Sequence, residues 1–255
     1  LFLTTKFKHT DFRMNVPLFF SVVGSVSSES ELVYILKRAT PEAKIIIFLL
    51  LIFSIVAWYK MIFKIIQMSR AKKLNQFFTE EFKNQKGVLD LYDRRIQAEG
   101  CPLFAVYQTG SVELDARLKG AAGEARKKHI SLKSMEHVKR LIENTVAQES
   151  LKLESGLIWL AAAVSGGPFL GLLGTVWGVM DTFSGIARTG SATMAAMAPG
   201  VSAALVTTVA GLLLAIPAMF GYNALVHTLR TLTVELDNYA QELVSKMETE
   251  YLKDE

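Results

Sequence analysis

Cysteine is nearly absent: Cys101 is the only one in 255 residues. A lone thiol excludes an internal disulfide and any cysteine-rich metal site. Histidine is scarce too, and His9, His129, His137 and His227 show no metal-ligand spacing. Soluble-enzyme signatures are missing: there is no GxxxxGK followed by Ser or Thr, no GxGxxG, no GxSxG and no HExxH. These absences lead us to expect no metal, no cofactor and no enzymatic activity. A net charge of +4 is too small to suggest nucleic-acid binding. Proline is absent between Pro102 and Pro168, which leaves room for long helices.

What is abundant is apolar. Hydrophobic residues make up 51% of the chain, and the mean hydropathy is +0.29. The excess is concentrated in three runs, which points to a membrane rather than to a large soluble core. The first, IIIFLLLIFSIVAWY, has fifteen uncharged residues before Lys60. Lys60 and Lys64 can snorkel, and Trp58 and Tyr59 suit the interface, so a transmembrane helix is expected over 45–66. The second, 156–187, carries Asp181 as its only charge. At about 1.5 Å per residue it exceeds a hydrocarbon core of about 30 Å, so part of it tilts or projects. The third, 198–225, has no charge in twenty-eight residues. The short linker 188–197 makes the second and third runs an antiparallel hairpin.

Residues 67–152 hold sixteen Lys/Arg against eleven Asp/Glu, while the hairpin linker holds only Arg188. The positive-inside rule then puts the N-terminus outside, 67–155 in the cytoplasm, the linker outside and 226–255 in the cytoplasm. Segment 1–44 becomes a periplasmic or interfacial piece. Within it, 28–44 reads as a short amphipathic surface helix. Lys6, Lys8 and Arg13 before VPLFFSVV faintly resemble a signal peptide, and Met14 reads as the more natural start. The expected fold is an all-α membrane protein with long helical extensions into the cytoplasm. Val138, Ile142, Val146, Leu153, Leu157 and Leu160 keep helical spacing, which predicts one helix entering the second span without a break. Leu225, Leu229, Leu232, Leu236, Tyr239, Leu243 and Met247 form a packing stripe after the third.

The hairpin carries polar groups among small residues. Gly171, Thr175, Gly178 and Thr182 share one helical face, and GxxxG spacings occur at Gly167–Gly171 and Gly174–Gly178. In the third run Gly200, Ala204, Thr208, Gly211 and Ala215 form a matching small face, with Thr207 beside it. Such faces permit close helix packing or wall a narrow path. Each threonine hydroxyl either serves that path or simply bonds its own i−4 carbonyl. Asp181 is either an entrance to the path or an interfacial anchor. Pro168, Pro199 and Pro217 bracket or kink the spans.

The stretches GPFLGLLGTVWGVMDTF (167–183) and APGVSAALVTTVAGLLLAIPAMFGYN (198–223) strongly resemble the ExbB/TolQ/MotA proton-channel family, closest to ExbB and TolQ. The resemblance implies an inner-membrane subunit that converts the proton motive force into work in the periplasm or at the outer membrane. It implies a homopentamer around two copies of a single-span ExbD- or TolR-like partner, with a TonB-like or TolA-like protein as a further candidate. The partner carries a membrane Asp, and the two family threonines match Thr175 and Thr208. The glutamate common in the family falls at Ala203, after Ser202, so Asp181 and Thr207 are candidate substitutes. The proton-pathway set is thus Thr175, Thr208, Asp181, Thr207 and Thr182. Gly171, Gly174, Gly178, Gly200, Gly211 and Pro217 are the packing set. The alternatives are a non-conducting membrane scaffold and a motility stator. Such stators usually have four spans, against three here.

Overall fold

The computed structural model describes residues 41–85, 87–94, 96, 98–119, 126–190 and 193–252. The expected surface helix over 28–44 falls almost wholly outside these, as does the leader-like start. Pro41 opens the first helix, α1 (Pro41–Lys83), at a position where its missing N–H costs nothing, and Glu42 meets the positive end of the helix dipole. Beyond the apolar part of α1 come the single turn α2 (Asp90–Asp93) and α3 (Pro102–Lys119); α3 packs against α1, and α2 against α3. Next come α4 (Leu132–Glu154), α5 (Leu157–Thr189) and the 58-residue α6 (Met194–Tyr251). Three of these, α1, α5 and α6, are long and apolar enough to cross a membrane. The protein is therefore an all-α, multi-pass membrane protein, with α5 and α6 as the hairpin. Both hairpin helices run through their prolines, Pro168 in α5 and Pro199 and Pro217 in α6, without a break.

The helices continue well past the membrane. At about 1.5 Å per residue α6 is about 87 Å long, nearly three bilayer cores. Its far half packs with the far half of α1 and with α3 and α4 in a bundle. Phe78, Phe82, Tyr107, Ile142, Leu236, Tyr239, Leu243 and Met247 are buried there. The expected α6 stripe serves two clusters: Leu236, Tyr239, Leu243 and Met247 lie in this bundle, while Leu225, Leu232 and the partly exposed Leu229 pack with Met68, Leu153 and Leu157 nearer the membrane. Aromatic edges interlock, Tyr239 lying 5.2 Å from Phe82 between ring centroids. Burial pushes the Tyr239 hydroxyl well above its ordinary pKa. The end of α6 is held by two loops: Val88 N–H donates to Glu250 Oε2 at 2.9 Å, and Ile130 N–H to the Tyr251 carbonyl at 2.9 Å. Arg126 ties α2 to α3 by bonding Asp93 and the buried Asp115, each at 2.6 Å.

The structure corrects two expectations. The helix entering the second span is not continuous: α4 ends at Glu154 and α5 begins at Leu157. Gly156 between them has φ +86°, a left-handed conformation that glycine adopts without strain. The apolar stripe hid this, because Val138 through Leu160 stay buried on both sides of the break. Lys64, expected to snorkel, turns inward and is 4% exposed. Its Nζ donates to Gln67 Oε1 at 2.9 Å and to the Lys152 carbonyl at 3.3 Å. That carbonyl lies in the last turn of α4 and also accepts from Ser155 Oγ at 2.8 Å. A donor suits this end of a helix, where carbonyls lose their intrahelical partners.

Candidate functional site

The site is the crossing of α5 and α6, and small side chains make it. Gly167, Gly171, Gly174 and Gly178 are the buried stripe of α5, facing Ala204, Thr207, Gly211 and Ala215 of α6. A methyl group at Gly171 would lie 3.0 Å from the Thr207 carbonyl oxygen and 3.0 Å from Thr208 Cα. One at Gly178 would lie 2.8 Å from Ala204 Cβ, and one at Gly167 3.0 Å from the Gly211 carbonyl oxygen. Backbone thus meets backbone, the close approach that small residues allow in lipid. Gly200 makes similar room for the Thr182 side chain. From the outside α1 wedges in: Ile46, Leu50 and Ala57 pack with Ala163, Leu214 and Ala218, and Met61 abuts Gly221.

At this crossing three threonines meet. Thr175 and Thr208 stand at the edge of the interface, one on each helix, and hydrogen-bond each other. Thr175 Oγ1 also reaches the Ala204 carbonyl at 3.0 Å and the Gly171 carbonyl at 3.2 Å. Thr208 Oγ1 reaches the Gly171 carbonyl at 3.1 Å. Thr207 is fully buried at the centre, with Oγ1 2.6 Å from the Ala204 carbonyl and 3.1 Å from that of Gly171. The sequence pattern placed Thr208 on the small face and Thr207 beside it; the structure puts Thr207 on the axis and Thr208 at the rim. Rotation of α6 against α5 decides this, and periodicity carries no information about it.

The other candidates lie apart. Thr182 donates to its own Gly178 carbonyl at 2.8 Å, two turns from Thr175. Asp181 is exposed and has no hydrogen bond or ion pair among the described residues. Six residues at about 100° each put it about 120° around α5 from Thr175 and about 9 Å further along. Pro217 is partly buried in the middle of α6. Ala203, at the place of the family glutamate, is 2% exposed and packs against Ala43 of α1. Methyl groups fill that place.

A sequence model of the MotA/TolQ/ExbB proton channel family matches residues 114–238, a stretch that includes the whole crossing. The chain is 32% identical over 195 residues to the biopolymer transport protein ExbB of Neisseria meningitidis serogroup A, covering 76% of this chain and 87% of that protein. The chain belongs to the MotA/TolQ/ExbB proton channel family. A second member, ExbB of Xanthomonas campestris pv. campestris, is 30% identical over 199 residues, 78% of this chain and 79% of that protein. The Tol-Pal system protein TolQ of Pseudomonas aeruginosa is 46% identical over 89 residues, 35% of this chain and 38% of that protein. The family match reaches beyond the spans into α3, α4 and the bundle half of α6.

Proposed function

We propose that this chain is the proton-channel subunit of an ExbB–ExbD- or TolQ–TolR-like motor in the inner membrane, coupling the proton motive force to work in the periplasm or at the outer membrane. The observation that carries the reading is the Thr175–Thr208 hydroxyl pair, linked across a hairpin otherwise lined by small and apolar side chains. Hydroxyls both donate and accept, so a pair at the rim of an apolar interface can meet a carboxyl group on a neighbouring helix. The carboxyl is supplied by that neighbour: Ala203 offers none, and Asp181 lies on another side of α5. A single-span ExbD/TolR-like helix, two copies inside a homopentamer, fits this need. Apolar side chains exposed on the hairpin, such as Leu172, Val176, Val209 and Ile216, are surface for lipid and for the other subunits. The N-terminus is periplasmic and the C-terminus cytoplasmic. The protein moves ions rather than catalysing bond chemistry.

The complex with its single-span partner, in vesicles under an imposed proton gradient, tests this. Moving one proton through 100 mV releases about 2.3 kcal/mol. A lost hydrogen bond of about 0.5–1.5 kcal/mol is a large fraction of that. Thr175→Val and Thr208→Val keep shape and remove the hydroxyl. Each leaves assembly intact and lowers proton flux about tenfold. Full flux in both variants sinks the reading. A non-conducting scaffold is the second reading, favoured by the closed, apolar Ala203 position; it predicts no partner-dependent flux in the unmodified protein.

A further inference from the structure

The crossing holds three threonine hydroxyls and few acceptors for them. The recorded acceptors are the Gly171 and Ala204 carbonyl oxygens and the Thr175 and Thr208 hydroxyls themselves. A carbonyl oxygen has two lone pairs. Within α5 the Thr175 N–H uses one on Gly171, and within α6 the Thr208 N–H uses one on Ala204. One vacancy remains on each carbonyl, for three hydroxyl protons. Thr207 reaches both vacancies and no other acceptor among the described residues. Fully buried, it must take one of them, because an unpaired hydroxyl there is costly.

From this count we propose that Thr207 is a positioning residue for proton passage, which rests on the channel reading above. With one vacancy taken, Thr175 and Thr208 cannot both donate to backbone. One of them must donate to the other. The link has two directions. If Thr208 donates to Gly171, Thr175 donates to Thr208, and the Thr175 oxygen is the end acceptor. If Thr175 donates to a carbonyl, Thr208 donates to Thr175, and the Thr208 oxygen is the end acceptor. A concerted turn of both hydroxyls therefore moves the oxygen with two free lone pairs from α5 to α6. A protonated carboxyl turning past the rim is met by an acceptor on either helix. Without the Thr207 hydroxyl both carbonyls are vacant, Thr175 and Thr208 each donate to backbone, and the coupling between them dissolves.

The test uses the complex with its single-span partner in vesicles carrying an internal pH-sensitive dye. Thr207→Val keeps shape and loses the hydroxyl; Thr207→Ser keeps the hydroxyl and loses a methyl. The expected result is flux about three- to tenfold lower for Thr207→Val and within about twofold of normal for Thr207→Ser, at equal complex size. Packing alone would give the reverse order. Normal flux in Thr207→Val, or a Thr207→Ser as slow as Thr207→Val, overturns the proposal. Should Thr207→Val fail to assemble, Thr207→Ala against Thr207→Ser isolates the hydroxyl, and equal flux in that pair overturns it. Thr175→Val separates the two levels. If it stops flux while Thr207→Val is normal, the positioning role alone fails. If it leaves flux intact, the channel reading fails and this role with it.

Discussion

Substituting Gly171 with alanine probes the crossing at its closest point. The new methyl would stand 3.0 Å from the Thr207 carbonyl oxygen and from Thr208 Cα, where ordinary contact begins near 3.4 Å. Both obstacles are backbone and cannot swing aside, so α5 and α6 must part by about 0.4 Å. The Thr208 hydrogen bond to the Gly171 carbonyl, 3.1 Å now, then lengthens to about 3.5 Å, outside the useful range for a hydroxyl donor. Overpacking of this kind costs about 1–3 kcal/mol. Replacing a helical glycine returns about 0.8–1.0 kcal/mol of propensity. The net loss is thus about 0–2 kcal/mol. Gly185→Ala is the internal control, since nothing among the described residues lies within 4 Å of its new methyl. It gains the propensity without the clash. Thermal unfolding of the detergent-solubilised complex should therefore rank Gly171→Ala below Gly185→Ala by about 1–3 kcal/mol. Proton flux should fall in the first and not in the second. Equal stability and equal flux in the two variants would refute the close-packing account of the threonine site.

Asp181→Asn and Asp181→Glu should both retain near-normal proton-driven activity, because Asp181 is exposed and on a different side of α5 from Thr175; collapse in Asn with rescue by Glu would return it to the path. Lys64→Met removes the donor that bridges α1 to the Lys152 carbonyl, and should speed amide exchange at residues 155–159. Stability should fall by about 1–2 kcal/mol, and unchanged exchange would show that Ser155 alone holds the break. The Arg126 guanidinium, by hydrogen bonding, holds the Asp93 carboxyl below its ordinary pKa. Its stabilising contribution is present above the unfolded value of about 4 and is lost as pH falls through the depressed folded one. Arg126→Ala should flatten the acid limb of a stability-versus-pH curve, and an unaltered limb would discount the tie.

The spans, the hairpin and the bundle stripe were all legible as sequence. A run such as Ile45–Tyr59 or 198–225 is too apolar to be stable in water, and glycines at four-residue spacing are small whatever surrounds them. The stripe from Leu225 to Met247 also survived intact, since helical periodicity is a local property. The break at Gly156 was not legible. A glycine inside an apolar stripe reads the same whether it is helical or left-handed, and the stripe kept its register across it. Lys64 misled for a related reason. A lysine near the end of a span reads as snorkelling unless one knows that a helix terminus lies within its reach.

Chemistry at the crossing divides along the same line. The sequence by itself determined that two helices would pack through glycine and alanine, and that threonines would lie near that contact, because side-chain size and helical period are written residue by residue. Which threonine sits on the axis and which at the rim depends on the rotation of α6 against α5 and on the wedge that α1 drives between their outer faces. Those are set by contacts among residues far apart in the chain, Ala43 with Ala203 and Met61 with Gly221 among them. Only the tertiary structure could decide that Thr207 is buried, that Thr175 and Thr208 are bonded to each other, and that Asp181 stands apart. A hydroxyl one residue further along a helix is turned by about 100°, and at a contact this close that rotation separates a buried group from one that can meet a partner.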